Sequence, residues 1–180
     1  MYQRTGDHRE AFRTSVLAAG LLAVLGVLTW VSGASALFPS LGPSAYVLAL
    51  RPDAEECRPD RLVGGHAIGV GAGLFSYHAL AAGHVVVTDQ PPLSGAALAL
   101  AGAGVVSLAL TVALMVWTDL RHAPACATTL IVSLGLLSTL ADGLVIVAAV
   151  VVLLGTQRTL ALAEHRWLYP TFRRLRNRTV

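Results

Sequence analysis

Four stretches of the chain carry no formally charged residue: Thr14 to Leu50, Leu62 to Thr88, Pro91 to Thr118 and His122 to Ala141. Each matches or exceeds the roughly 20 apolar residues a helix needs to cross a bilayer. The first is too long for one span and is interrupted by Phe38-Pro39-Ser40-Leu41-Gly42-Pro43, which predicts a helix over 15–34 and a shorter one over about 40–50. Pro43 suits the first turn of that short helix, where its missing N–H costs nothing. An Arg/Asp/Glu-rich loop at 51–61 follows, then a helix over 62–86, a polar turn at Asp89-Gln90-Pro91-Pro92 and a helix over 94–118. The pattern then recurs. His122-Ala123-Pro124-Ala125-Cys126-Ala127-Thr128-Thr129 opens a second short helix, expected to run to about Ala141 and break at Asp142-Gly143, and a last helix covers 144–163. The reading is an all-α polytopic bundle of six apolar segments, four full-length and two short.

Arginine placement chooses between two topologies. With six crossings, both termini and the loops holding Arg51, Arg58, Arg61 and Arg121 share the cytoplasmic side, and the loops at 35–39, 87–93 and 142–143 lie outside without arginine. With four crossings the two short segments fold back as re-entrant loops and the arginine loops move outside. The positive-inside rule favours six. Helix, short interrupted helix, helix then occurs twice in opposite orientation, over about 15–86 and 94–163, as an inverted repeat. The expected organisation is a cytoplasmic N-terminus over 1–14, a transmembrane domain over 15–163 and a basic cytoplasmic tail over 164–180, in the plasma membrane. Interrupted segments at matching places in two halves point to a transporter's binding site, since broken backbone in a membrane must be buried or line a cavity.

Composition agrees with lipid as the main solvent: 55% of the residues are apolar and 13% charged, against about 25% charged in typical soluble domains. All thirteen basic residues are arginine, and five lie between Arg166 and Arg178. This tail lacks interleaved aromatics and any matching module, so no nucleic-acid partner is expected. Cys57 and Cys126 are unclustered and suggest neither a disulfide nor a zinc site. The apolar run Ser15 to Val31 exceeds a usual signal-peptide core, so it is read as a span.

The chemistry-bearing candidates gather at the two short helices. Ser40, Gly42 and Ser44 open the first, and Ala125, Thr128 and Thr129 the second. A helix start leaves backbone N–H groups unpaired and carries partial positive charge, so two starts meeting in a membrane make a weak anion site without a buried cation. Gly42 and Ala125 would donate backbone N–H groups, Ser40, Ser44 and Thr128 hydroxyls, and His122 an imidazole N–H, with His66 as a lining donor. The competing reading is that these hydroxyls and histidines merely let helices pack closely or bond to their own backbone. Gly65, Gly69 and Gly73 form a small-residue face for tight packing, within the bundle or in a homo-oligomer. His66, His78 and His84 are spaced wrongly for a helical metal pair. No nucleophile and base are paired, so neither a metal, a cofactor nor an enzymatic activity is expected. Asp142 reads as a helix-capping carboxylate.

The ordered set Phe38-Pro39-Ser40-Leu41-Gly42-Pro43-Ser44-Ala45, then Arg58-Pro59, then Val63-Gly64-Gly65-His66 resembles the first half of the HPP family of integral membrane proteins. That family's eponymous His-Pro-Pro falls at His122-Ala123-Pro124, where Ala123 replaces the first proline, and Tyr169-Pro170 followed by Phe172 is similar to its ending. The resemblance covers about 15–172. It implies a membrane protein usually described with four spans, some of whose bacterial and plastid members move nitrite. The functional expectation is a transporter or channel-like facilitator for a small inorganic anion, nitrite first. The alternative is a non-transporting scaffold or assembly protein that packs through its glycine face.

Overall fold

The computed structural model describes residues 8–176, with side chains through residue 163. The arginines of the tail and the Tyr169-Pro170 motif fall outside the described side chains. The regular structure is helical throughout: α1 (His8–Ser32), α2 (Leu41–Leu50), α3 (Pro59–Ser76), α4 (Gly95–Trp117), α5 (Ala125–Ser133) and α6 (Leu140–Arg176). A 3-10 turn, Glu55–Cys57, precedes α3, and a wider π turn, Tyr77–Ala81, prolongs it.

Three helices are long and apolar enough to cross a membrane: His8–Ser32, Gly95–Trp117 and Leu140–Ala163. The more polar α3, with Asp60, Arg61 and His66 in its first half, falls outside that set. At 1.5 Å per residue α2 is about 15 Å long and α5 about 14 Å, half the thickness of the hydrocarbon layer. Irregular chain over 33–40 leads into α2, and irregular chain over 118–124 leads into α5. The Leu37 amide donates to Thr29 Oγ1 near the end of α1, whereas Leu48, Ala49 and Leu50 line one hollow with Arg13 and Leu17 near its start. Thr29 and Arg13 are separated by about 24 Å of helix. In the second half, His122 bonds to Glu56 beside the start of α3, and Ser138 and Leu134 bond to His78 and Val86 beyond its other end.

The two ends of the bundle differ in charge. The start of α1, the loop after α2, the loop after α4 and the Gln157–Ala161 stretch of α6 lie at one end. All described arginines belong to that end, and the opposite end holds Asp89 and Asp142 without one. Trp30 and Trp117, 85% and 84% exposed, stand near opposite ends, where amphipathic rings settle at membrane–water boundaries.

The central helix is α3, which packs on α4, α5 and α6. Its glycine face is closed by α5: a Cβ added at Gly65 would meet His122 Cβ at 2.9 Å, at Gly69 the Ala125 carbonyl oxygen at 2.9 Å, and at Gly73 Val132 Cβ at 2.7 Å. Small-residue spacing thus serves contact inside the bundle. Leu21 and Leu25 of α1, Leu41 and Leu48 of α2, and Ile146, Val150 and Leu153 of α6 share the main apolar core with Leu62 of α3.

The helix boundaries correct the sequence reading in several places: α1 begins at His8, not 15, the helical stretch of α3 stops at Ala81, not 86, α6 runs on to Arg176, not 163, and one break moves. The expected helix to Ala141 ends at Ser133, and the expected break at Asp142-Gly143 lies inside α6. The chain turns instead at Gly135, whose φ of +83° suits glycine. An added Cβ there would run into the His84 carbonyl. Asp142 caps the helix: its carboxylate accepts from the Thr139 amide at 3.0 Å and hydroxyl at 2.6 Å, and its own amide donates to Thr139 Oγ1 at 3.1 Å. Gly143 packs against Val70.

Candidate functional site

The starts of α2 and α5 meet beside α3. Ser40, at the head of α2, and Thr128, in the first turns of α5, place their hydroxyls 2.6 Å apart although 88 residues separate them. Ser44, one turn on from Ser40, lies 3.1 Å from Nε2 of both His66 and His122. His66 Nδ1 lies 2.7 Å from Thr128 Oγ1. The two rings are tilted neighbours with centroids 5.1 Å apart. Ser40, Ser44, His66 and Thr128 are fully buried and His122 is 1% exposed. His66 sits about 6 Å along α3 from the midpoint of Pro59–Ala81, toward the arginine end.

Hydrogen-bond chemistry gives this network a single direction. His122 Nδ1 lies 2.9 Å from the Glu56 carbonyl oxygen, which can only accept, so Nδ1 carries the hydrogen. In a neutral ring Nε2 is then an acceptor, and the Ser44 hydroxyl donates to it. Ser44 has no second proton, so its contact with His66 requires His66 Nε2–H as donor. His66 Nδ1 is consequently the acceptor for the Thr128 hydroxyl, and Thr128 accepts from Ser40. The assignment follows from the partners alone.

The remaining predicted site residues stand at the edge of this network. The Gly42 amide donates to the Pro39 carbonyl at 3.3 Å and the Ala125 amide to the His122 carbonyl at 3.0 Å, in tight turns that close both helix starts. Gly42 is half-buried, and Ala125 is fully buried under the glycine face. Thr129, next to the cluster, links α5 to α4: Thr111 donates to Thr129 Oγ1 at 2.8 Å, and Thr129 donates to the Ala125 carbonyl at 3.2 Å.

Two contributors escaped the sequence reading, which took 51–61 only as an Arg/Asp/Glu-rich loop. Arg61, its side chain 12% exposed, bridges Glu55 at 2.6 Å and Asp119 at 2.7 Å, tying the loop after α2 to the end of α4. Glu56 offers its backbone carbonyl to His122 while its carboxylate meets Arg51 at 3.1 Å. Local charge alternation does account for Arg58–Asp60 at 3.0 Å. A pairing across 58 residues leaves no mark in spacing, but a lone acid at Asp119 before the second short helix was a usable sign. Cys57 lies in the same loop, its thiol pushed up to about 11 chiefly by burial and then by the Glu56 carboxylate.

No curated protein and no solved structure matches the chain. The family model described as "HPP, transmembrane region" matches residues 3–169, and with nearly the whole chain covered the protein belongs to the HPP family of membrane proteins.

Proposed function

We propose that the protein is a transporter, not an enzyme, and that it carries a small monovalent anion, nitrite first, through the site where α2 and α5 begin. The observation that carries this reading is the buried set Ser40, Ser44, His66, His122 and Thr128, drawn from three helices and the loop before α5, at the junction of two half-length helices. Buried polar groups of this kind in a membrane domain are costly unless they serve one another or a ligand. Two helix starts facing one spot favour negative charge through their aligned peptide dipoles. In the closed arrangement the hydroxyls pair with each other. An anion entering between Ser40 and Thr128 would take over their donors, with the turn-bonded amides of Gly42 and Ala125 as reserve donors when the turns open. Six crossings, with the arginine-bearing end and both termini in the cytoplasm of a plasma-membrane protein, complete the reading.

The scaffold alternative needs a free glycine face, and α5 already covers Gly65, Gly69 and Gly73. Nitrite uptake by proteoliposomes tests the transport reading. Wild-type protein should exceed empty vesicles, and a Ser44→Ala, Thr128→Val double variant of unchanged thermal stability should fall to near the empty-vesicle rate. Equal uptake by the two proteins, or none above empty vesicles with wild type, would rule the site out.

A further inference from the structure

We propose that this site admits its anion only together with one proton, held on His66, so that transport is electroneutral anion–proton symport; the inference rests on the anion-carrying reading above. With both rings neutral, every donor in the network is consumed. The Ser40 hydroxyl is spent on Thr128, Thr128 on His66, His66 on Ser44, Ser44 on His122 and His122 on the Glu56 carbonyl. An anion accepts hydrogen bonds and offers none. The neutral network therefore has no uncommitted hydroxyl or imidazole donor to give it.

One added proton changes this at one position only. A proton on His66 Nδ1 turns that nitrogen into a donor toward Thr128 Oγ1 across the same 2.7 Å. Thr128 and Ser40 then keep two hydroxyl protons for one mutual bond, and the spare one can point at a ligand. A proton on His122 Nε2 does not have this effect. That nitrogen would donate to Ser44, whose hydroxyl would swing to the Ser40 carbonyl at 3.4 Å, and no donor would be released. The ring centroids are 5.1 Å apart, so a second proton would set like charges against each other. A lone imidazolium in a fully buried site is costly, and an anion arriving with the proton cancels its charge.

The groups facing this pair support the assignment. His66 meets His122 in ring contact, and α2 and α5 present the Ser44 and Thr128 hydroxyls to it. Glu56 faces His122 through its carbonyl while its carboxylate is held by Arg51. Thr111 of α4 reaches only as far as Thr129, and α6 meets α3 at Gly143 and Val70, a turn further along. In each cycle an N–H bond forms on His66 with a proton from water on the entry side and breaks on the exit side. One anion and one proton cross, and no net charge moves.

Proteoliposomes carrying an internal pH dye, with the membrane potential set by potassium and valinomycin, test this with nitrite as the probe. The expected result is luminal acidification of one proton per nitrite above the empty-vesicle background. Uptake should not respond to imposed potential, and lowering the external pH from about 8 to 7 should raise the initial rate up to about tenfold. His66→Gln keeps a donor and an acceptor but cannot take up the proton, so protein-mediated uptake should fall to near the empty-vesicle rate at both pH values. Thr128→Ser, which keeps the hydroxyl, should retain uptake and its pH dependence and gives a second readout if His66→Gln does not fold. Uptake that follows the potential without luminal acidification would overturn the symport proposal and leave the anion reading standing. No uptake above empty vesicles would overturn both. An unchanged proton-to-nitrite ratio in His66→Gln would remove His66 from the assignment.

Discussion

At Gly69 there is no room for a methyl group. A Cβ would stand 2.9 Å from both the Ala125 carbonyl oxygen and Thr129 Oγ1, the first of them rigid backbone. Gly71, two residues on, opens onto empty space. The pair separates packing from helix propensity within one helix. Gly69→Ala should destabilise the protein by about 1–3 kcal/mol, as overpacked cores do, by forcing α3 and α5 apart. Gly71→Ala should leave stability unchanged or raise it by up to about 1 kcal/mol, because alanine is the better helix former. Thermal unfolding in detergent checks both. If the two variants melt alike, the glycine face is not what seats α5. The consequence reaches the site, since Gly65 and Gly69 let the segment from His122 to Thr129 approach His66 closely.

The ends of the helices show what could and could not be read beforehand. Asp142-Gly143 looks like a turn because both residues favour turns, yet Thr139 three residues earlier makes Asp142 the reciprocal partner of a capping box. That Thr-x-x-Asp spacing was visible and would have moved the break to its true place. Asp142→Ala should cost about 1 kcal/mol. Thr139→Ala should cost a similar amount, and the double variant should cost less than the sum because each single change already breaks the box. Amide exchange over Leu140–Gly143 measures this locally, and strict additivity would show the two residues acting apart. The start of α2 was legible because proline and small residues mark helix entry. The meeting of its hydroxyls with those of α5 was legible only as an expectation from repeat symmetry. The directed chain of donors was not legible, because it depends on the Glu56 carbonyl, and sequence patterns carry no record of where a backbone oxygen lands.

At the scale of the whole molecule the short helices pose the question of how often the chain crosses. A re-entrant segment returns to the face it left. Here the lead-in to α2 is bonded at Thr29 and the end of α2 lies by Arg13, so the segment leaves one end of α1 and arrives at the other. The second short segment runs from Glu56 and His122 to Val86 and Leu134 in the same way. With six crossings the loop at 51–58 shares the side of the N-terminus and the loop at 82–94 lies opposite; with four crossings the two loops exchange sides. Cysteine labelling in a Cys126→Ala background decides between them, and the remaining native Cys57 interferes little. Cys57 is 5% exposed, and burial pushes its thiol up to about 11, which keeps it in the unreactive protonated form at the pH of labelling. Exposed Val87→Cys should react with an impermeant maleimide added to intact cells, and Asp53→Cys only after the membrane is opened. The reverse pattern would place the arginine loops outside, against the positive-inside rule, and an inverted repeat could then not be the reason the starts of α2 and α5 meet.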